Sequence, residues 1–265
     1  MTVLDDIVAG VREDLAERRR RTPLTDVIER AHAAAPARAF DLDPEFGVIA
    51  EVKRRSPSRG DLAHIPDPGT LAGLYAAGGA RAISVLTEGR RFSGSLEDLD
   101  TVRAAVDIPV LRKDFMVDEY QFHEARAHGA DIVLLIVAAL DVGQLHEFHN
   151  LARELGMTAL VETHSADELA TAAELEAPLI GINTRNLKDL SVDTARFAPL
   201  ADLAPANCTL VAESGVTGPE DVGIYAAAGA DLALVGEALV TGGDARSAVA
   251  TFTSAGRERR APKAS

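Results

Sequence analysis

Apolar residues fall along this chain in two alternating rhythms. Short, nearly unbroken apolar runs, of the kind a strand buried on both faces requires, give way to stretches in which apolar residues recur every three or four positions, as on one face of a helix. The runs are "VIAEVK" (48–53), "AISVLTE" (82–88), "PVLRKDF" (109–115), "DIVLLIVA" (131–138), "ALVETH" (159–164), "LIGINTR" (179–185), "TLVAESG" (209–215) and "LALVGE" (232–237). Between them lie amphipathic stretches such as "DPGTLAGLYAAG", "EYQFHEARAHG" and "GQLHEFHNLARELG". The joints repeat too: "AAGGARAISVLTE", "ARAHGADIVLLIV" and "YAAAGADLALVGE" each read as a helix end, a Gly-Ala turn and an apolar strand. Gly79, Gly129 and Gly229 stand 50 and 100 residues apart, multiples of about 25, a plausible length for one strand–helix unit.

Eight alternating units predict an α/β fold of the (β/α)8 TIM-barrel class, spanning residues 47–256. An open doubly wound sheet is the alternative, and it lacks its usual marker, because no G-x-G-x-x-G follows the first strand. Residues 1–46 form an N-terminal helical extension expected to pack on the barrel. "TVLDDIVAGVREDLAERRRR" has helical spacing, and "PLTDVIERAHAA" reads as a second helix started by Pro23. The basic run at 18–21 is read as solvated, with a second reading in which it helps to close over an anionic ligand. Residues 257–265 are expected to form a disordered tail.

Composition narrows the function. A chain of 265 residues with 47% hydrophobic content can bury a large core. The longest apolar run, "IVLLIVAAL" (132–140), is too short to span a bilayer, and the acidic, amphipathic opening does not read as a signal peptide. The single cysteine, Cys208, excludes an internal disulfide and fits a reducing cytosol, so a cytoplasmic protein is expected. A net charge of −14 argues against nucleic-acid or membrane partners. An anionic ligand would therefore need a local positive island.

The chemistry of a (β/α)8 barrel sits at the carboxyl ends of its strands. The first strand ends with Glu51 and Lys53, two residues apart and so on one face. The third offers Lys113, the fifth Glu162, the sixth Asn183 and Arg185 with Thr184 turned outward, and the seventh Glu213. Opposite charges at the ends of oily strands are costly unless paired or used. The last two strands end in "ESGVTGPED" and "VGEALV", placing Gly215 and Gly236 where a loop enters a helix. Backbone approach at such glycines, with free N–H groups nearby, suits a phosphate. Lys53, Lys113, Arg185 and these two loops make the positive island.

Other candidates weigh less. His146 and His149 share a helix face as a conceivable metal pair, but no third ligand is nearby, and a solvated face is the simpler reading. His164 could touch the site or serve only its loop. Cys208 reads as packing.

Taken together, "VIAEVKRRSPSRG", "SVLTEGRRFSGSLEDL", "PVLRKDFMVDEYQ", "ALVETH", "GINTRNL", "VAESGV" and "LVGEAL" resemble the indole-3-glycerol phosphate synthase family of tryptophan biosynthesis. The resemblance spans nearly the whole chain. It implies a small phosphorylated substrate, 1-(2-carboxyphenylamino)-1-deoxyribulose 5-phosphate, which the family closes into a ring with loss of carbon dioxide and water. By that resemblance Lys113 is the general acid of ring closure, Lys53 the acid of dehydration and Glu51 its base. Glu162 stabilises a cationic intermediate, and Asn183 and Glu213 join the catalytic set. Lys53, Ser56, Asn183 and Arg185 would hold polar groups of the ligand. Phe92 and Phe115 would line its aromatic part, Leu187 would join the substrate-binding set, and Ser214, Gly215, Gly236 and Glu237 would hold its phosphate, Glu237 through its backbone. No metal and no organic cofactor is implied, and a monomer is expected. Three readings stay open beside it: a flavin-dependent barrel sharing the phosphate end, a binding barrel without turnover, and a Schiff-base enzyme using Lys53 or Lys113.

Overall fold

Eight parallel strands close on themselves in the computed structural model of the chain, which describes residues 2–42, 45–241 and 243–260. They are β1 (Gly47–Val52), β2 (Ala82–Leu86), β3 (Val110–Lys113), β4 (Ile132–Ile136), β5 (Thr158–Thr163), β6 (Leu179–Asn183), β7 (Thr209–Glu213) and β8 (Leu232–Val235). Each pairs with its neighbours in sequence, and β8 pairs with β1 to complete the ring. Two helices form the N-terminal extension, the long α1 (Val3–Arg21) and the shorter α2 (Leu24–Ala33). The barrel helices are α3 (Pro68–Ala77), α4 (Leu96–Ala105), α5 (Glu119–Ala127), α6 (Val142–Glu154), α7 (Ala166–Glu174), α8 (Phe197–Ala201), α9 (Pro219–Ala227), α10 (Glu237–Thr241) and α11 (Ala245–Arg259).

The strands end earlier than the apolar runs suggest. β2 stops at Leu86 because Glu88 turns its carboxylate onto the amides of Arg90, Arg91 and Phe92, capping a short helical turn, Gly89–Phe92. β4 stops at Ile136, and a single 3-10 turn over Val137–Ala139 follows. After β2 the Glu88 cap satisfies amides that the ladder no longer reaches, and after β4 the turn closes on itself through the Leu140 N–H and the Val137 carbonyl. At the other end of the chain, α11 runs through Arg259, so residues 257–259 of the expected tail are helical. Residues 261–265 lie outside the described residues.

Alternation divides the strand residues into two cores. Outward residues such as Val48, Ala50, Val85, Val133, Val161, Ile180 and Ala212 pack against the helices. Inward residues Ile49, Leu111, Ile132, Leu160, Leu179, Val211 and Leu232 fill the barrel. The next inward position reaches the mouth, and on β1, β3, β5 and β7 it is charged (Glu51, Lys113, Glu162 and Glu213), while β4 and β8 keep Leu134 and Leu234 there.

Helix α1 joins the inner cluster rather than the outer one: Leu4, Ile7 and Val11 pack with Phe115, Leu134 and Leu234 over the mouth. Ion pairs hold its flanks. Arg18 meets Glu124 and Arg19 meets Asp118 at 2.9 Å each on the α5 side, while Arg90 and Arg91 reach back to Asp14 and Asp6. Exposed pairs contribute about 0.2–1 kcal/mol each, and burying an aliphatic side chain about 1.5–3 kcal/mol, so the apolar face does most to hold the helix. Arg18 and Arg19 thus serve docking to the barrel; neither lines the mouth.

Candidate active site

Lys113 ends β3, and its ammonium crosses the barrel. Nζ lies 3.2 Å from Glu162 Oε2 on β5 and 3.3 Å from Glu213 Oε2 on β7. All three belong to the inward set, each two residues after an inner-core residue, Leu111, Leu160 or Val211, and β6 places Gly181 opposite Glu162 and Asn183 opposite Glu213 in the ladder. Gly181 has no side chain, and a Cβ there would collide with Glu213 Oε1. The missing side chain is what lets the Glu213 carboxylate lean across β6 to the lysine. Asn183 then donates through Nδ2 to Glu162 Oε1 at 3.1 Å, and accepts on Oδ1 from Ser214 Oγ at 2.8 Å and from the Arg185 amide at 3.0 Å. Its amide is therefore fixed in orientation.

Two buried carboxylates facing one ammonium cannot carry their charges independently. Burial alone lowers the Lys113 ammonium, but the carboxylates of Glu162, Glu213 and Glu51 outweigh it and hold Lys113 above the usual lysine range. Burial works against Glu162 as well, yet Lys113, His164 and Asn183 hold it below the usual carboxylate range. Glu213 goes the other way: burial and the neighbouring Glu162 charge push it up to about 8, with Lys113 opposing only in part. The two carboxylates are thus driven in opposite directions, Glu162 toward ionisation and Glu213 toward keeping its proton, while Lys113 stays charged.

A second ion pair ends β1. Lys53 Nζ lies 2.6 Å from Glu51 Oε1, while Ser84 Oγ stands 3.5 Å from Glu51 Oε2. Gly236 after β8 makes room for this pair, since a Cβ there would lie 2.6 Å from Glu51 Oε1 and 3.2 Å from Lys53 Nζ. Next to it, Ser214 and Gly215 adopt consecutive left-handed conformations, φ 68° and 76°. They form a tight turn directly after β7, in the loop region where barrels of this class frequently bind phosphate. Tyr225 stabilises this turn by donating to the Ser214 carbonyl at 3.0 Å.

A small hairpin, Arg55–Ser56 against Gly60–Asp61, hangs over this side of the mouth. Arg185 Nη1 ties it down through Ser58 Oγ at 3.2 Å, and Arg59 reaches Glu237 Oε1 at 2.8 Å. The Glu237 carboxylate is thereby turned toward an arginine. Opposite, Phe92 and Phe115 form an apolar wall with ring centroids 6.2 Å apart. Phe115 is set by Asp114, which accepts its amide at 2.8 Å and is itself held by Thr87 at 2.7 Å and the fully buried Arg112 at 3.0 Å.

One basin of about 1120 Å³, counted to include its solvent-open mouth, receives every residue that the family resemblance placed in the site. Glu51, Lys53, Lys113, Glu162, Asn183 and Glu213 line its floor. Ser56, Arg185, Ser214, Gly215, Gly236 and Glu237 form its polar side, and Phe92, Phe115 and Leu187 its apolar side. Sequence reasoning missed Leu4 and Ile7 of α1, which roof the basin. Their helical spacing was visible, but not which face of the barrel they would cover. It also passed over Ser58 and Leu190, whose hydrogen bonds fix Arg185. His164 stands just behind Glu162, not in the basin wall. His146 and His149 lie on α6 away from the basin, and among the described residues no group of three His, Cys, Asp or Glu side chains is arranged to hold a metal. Cys208 is buried with the outer core.

This constellation can be set beside known proteins. The family indole-3-glycerol phosphate synthase matches residues 4–252. The chain belongs to the indole-3-glycerol phosphate synthase family. An indole-3-glycerol phosphate synthase of Arthrobacter sp. (strain FB24) is 58% identical over 97% of this chain and 98% of that protein. Another, from Kineococcus radiotolerans, is 59% identical over 97% of this chain and 96% of that protein. Family membership makes the chain a carboxy-lyase of tryptophan biosynthesis. Among solved structures, a 3-hexulose-6-phosphate synthase superposes with a TM-score of 0.64 at 18% identity, over 79% of this chain and 99% of that one. At that identity it shares the barrel architecture. Among the described residues no helix is long and apolar enough to cross a membrane.

Proposed function

We propose that this chain converts 1-(2-carboxyphenylamino)-1-deoxyribulose 5-phosphate to indole-3-glycerol phosphate, carbon dioxide and water, with Lys113 as the acid of ring closure. The observation that carries this reading is the Lys113 ammonium held between Glu162 and Glu213 on the floor of a basin with one apolar and one phosphate-accepting side. The phosphate sits against the amides after β7 and β8, with Lys53 and Arg185 supplying positive charge, and the aromatic ring lies on Phe92, Phe115 and Leu187. In that pose the ketone faces the strand ends.

Ring closure joins an aromatic carbon to the ketone carbon, and the ketone oxygen takes a proton from Lys113 as its C–O double bond opens. The ring carries positive charge at this point, and the ionised Glu162 stabilises it. Loss of carbon dioxide returns the electrons of the broken C–C bond to the ring. Dehydration then expels the new hydroxyl as water, protonated by Lys53, while Glu51 takes the proton released when the double bond forms. Asn183 orients Glu162, and Glu213 holds the spare proton of the pair. Turnover needs neither a metal nor an organic cofactor, takes place in the cytoplasm and is performed by a monomer, a reading supported by a mouth to which a single chain supplies every group.

Incubation with the carboxyphenylamino sugar phosphate, in the presence and absence of a chelator, tests this directly. Indole fluorescence should rise in both. Its absence in a folded, phosphate-binding protein overturns the substrate, and chelator sensitivity restored by a divalent ion overturns the metal-free route.

A further inference from the structure

His164 follows β5 by one residue and is 7% exposed. Its Nδ1 lies 3.0 Å from Glu168 Oε2 on α7, and the same carboxylate oxygen accepts the His164 backbone N–H at 2.7 Å. These two contacts fix the ring and leave Nε2 directed at Glu162. Nε2 lies 3.3 Å from Glu162 Oε1, within reach of Coulomb attraction, and has no hydrogen-bond partner among the described residues. A buried, oriented imidazole nitrogen aimed at a carboxylate is more than packing requires.

The groups facing this ring come from every element around it. Glu162 stands in front on β5 and Glu168 behind on α7. Arg196 approaches from the turn before α8 and donates to the His164 carbonyl. Beyond Glu162 lie Lys113 of β3 and Glu213 of β7. Lys113 is nearly equidistant from the two carboxylates, so it does little to decide which of them ionises. What differs is their far sides. Glu162 Oε1 receives Asn183 Nδ2 at 3.1 Å and faces the imidazole, whereas Glu213 Oε1 is buried over Gly181 with no hydrogen-bond partner among the described residues.

We propose that His164, charged and fixed by Glu168, is the positioning residue that holds Glu162 as the ionised member of the Glu162–Glu213 pair and leaves the proton on Glu213. The inference rests on the proposed function, in which an ionised Glu162 acts on the reacting ligand. Electrostatics point the same way: burial alone lowers the imidazole, but the contacts with Glu162 and Glu168 outweigh it and carry His164 up to about 9. The device supplies Glu162 with a counter-charge that never enters the basin, so it does not compete with the ligand for Lys113.

The test compares wild type with His164→Gln and Glu168→Gln. An opposite charge within hydrogen-bond range lowers a carboxyl pKa by about 1–3 units. In His164→Gln the acid limb of kcat should therefore move up by at least about one pH unit, with KM little changed because the phosphate side is remote. Glu168→Gln should move it in the same direction by less. The second readout needs no substrate: the His164 imidazole, assigned by its absence in His164→Gln, is titrated by NMR. Its midpoint should lie well above that of a free imidazole and fall in Glu168→Gln. A folded His164→Gln with the wild-type acid limb overturns the proposal, as does an imidazole that titrates at or below the free value. Should His164→Gln fail to fold, the His164 resonance is identified as the high-midpoint imidazole whose titration shifts in Glu168→Gln, and the absence of any such imidazole overturns the proposal. Failure of wild type to turn over the substrate sinks the proposed function instead, while the titration still judges the charge arrangement.

Discussion

The Glu213 carboxylate lies in the space that a side chain at residue 181 would fill, so Gly181 and Glu213 are a matched pair across β6 and β7. Replacing Gly181 with Ala should push the carboxylate off the line that brings it 3.3 Å from Lys113. Overpacking of this kind costs about 1–3 kcal/mol. We expect kcat to fall by roughly ten-fold or more, as for a mispositioned catalytic group, with a modest drop in the urea midpoint. Unchanged kcat would mean that Glu213 need not reach the lysine.

Lys113→Ala and Glu162→Gln should each depress kcat by about 10²–10⁴-fold, the usual loss for a positioned acid or a preorganised electrostatic partner. Their stabilities should differ. Lys113→Ala leaves Glu162 and Glu213 facing each other without the ammonium they share, and an uncompensated buried charge is strongly destabilising. Glu162→Gln leaves Lys113 with Glu213, which can ionise in compensation. Melting temperatures should therefore fall more for the lysine variant, and the reverse order would refute this account of the trio.

The raised Glu213 makes a prediction about stability and pH. In the unfolded chain this carboxyl titrates near 4.5, and in the folded protein near 8. Between those values the folded protein keeps a proton that the unfolded chain has released. The stabilisation is thus complete below pH 4.5, declines as pH rises through the window and is gone above about 8. Glu162 acts with the opposite sign: its depressed value contributes stability above the usual carboxylate range that is lost as pH falls through the folded value. Denaturant unfolding of Glu213→Gln should show a flatter decline between pH 5 and 8 than wild type. An identical slope would place the proton elsewhere.

Much of this was legible because a barrel strand reads as a pattern of period two. Glu51, Lys113, Glu162, Asn183 and Glu213 interrupt apolar runs at the inward positions nearest the carboxyl ends, and the closed ring brings them together. Strand ends were less legible, since a capping carboxylate such as Glu88 acts through amides that follow it, which hydrophobic pattern does not report. Gly181 was invisible for the same kind of reason. A glycine inside "LIGINTR" looks like a weak strand residue until Glu213 is seen lying over it. The roof formed by Leu4 and Ile7 and the His164–Glu168 contact depend on how helices seat on the barrel. Spacing along one segment carries no record of that.

The two glycines of the phosphate side should fail differently when replaced. Gly215 has φ 76°, and its Cβ would meet Thr194 Cγ2 at 2.5 Å and Tyr225 Oη at 2.8 Å. A side chain there strains the left-handed turn by about 1–2 kcal/mol and displaces its amides, but touches neither Lys53 nor Glu51. Losing one hydrogen bond to a charged group costs about 1.5–3 kcal/mol, or roughly 10- to 150-fold in binding. Gly215→Ala should therefore raise KM by about that factor while kcat changes far less. Gly236 is another matter, since its Cβ would press on both Glu51 Oε1 and Lys53 Nζ. Gly236→Ala should raise KM and lower kcat together, because it moves the pair assigned to dehydration as well as the phosphate side. Measuring kcat and KM for both variants, with the inhibition constant of inorganic phosphate as a direct reading of the phosphate side, separates the two. Equal effects on kcat would show that the Glu51–Lys53 pair does not depend on the space at Gly236, and an unchanged inhibition constant in Gly215→Ala would put the phosphate elsewhere.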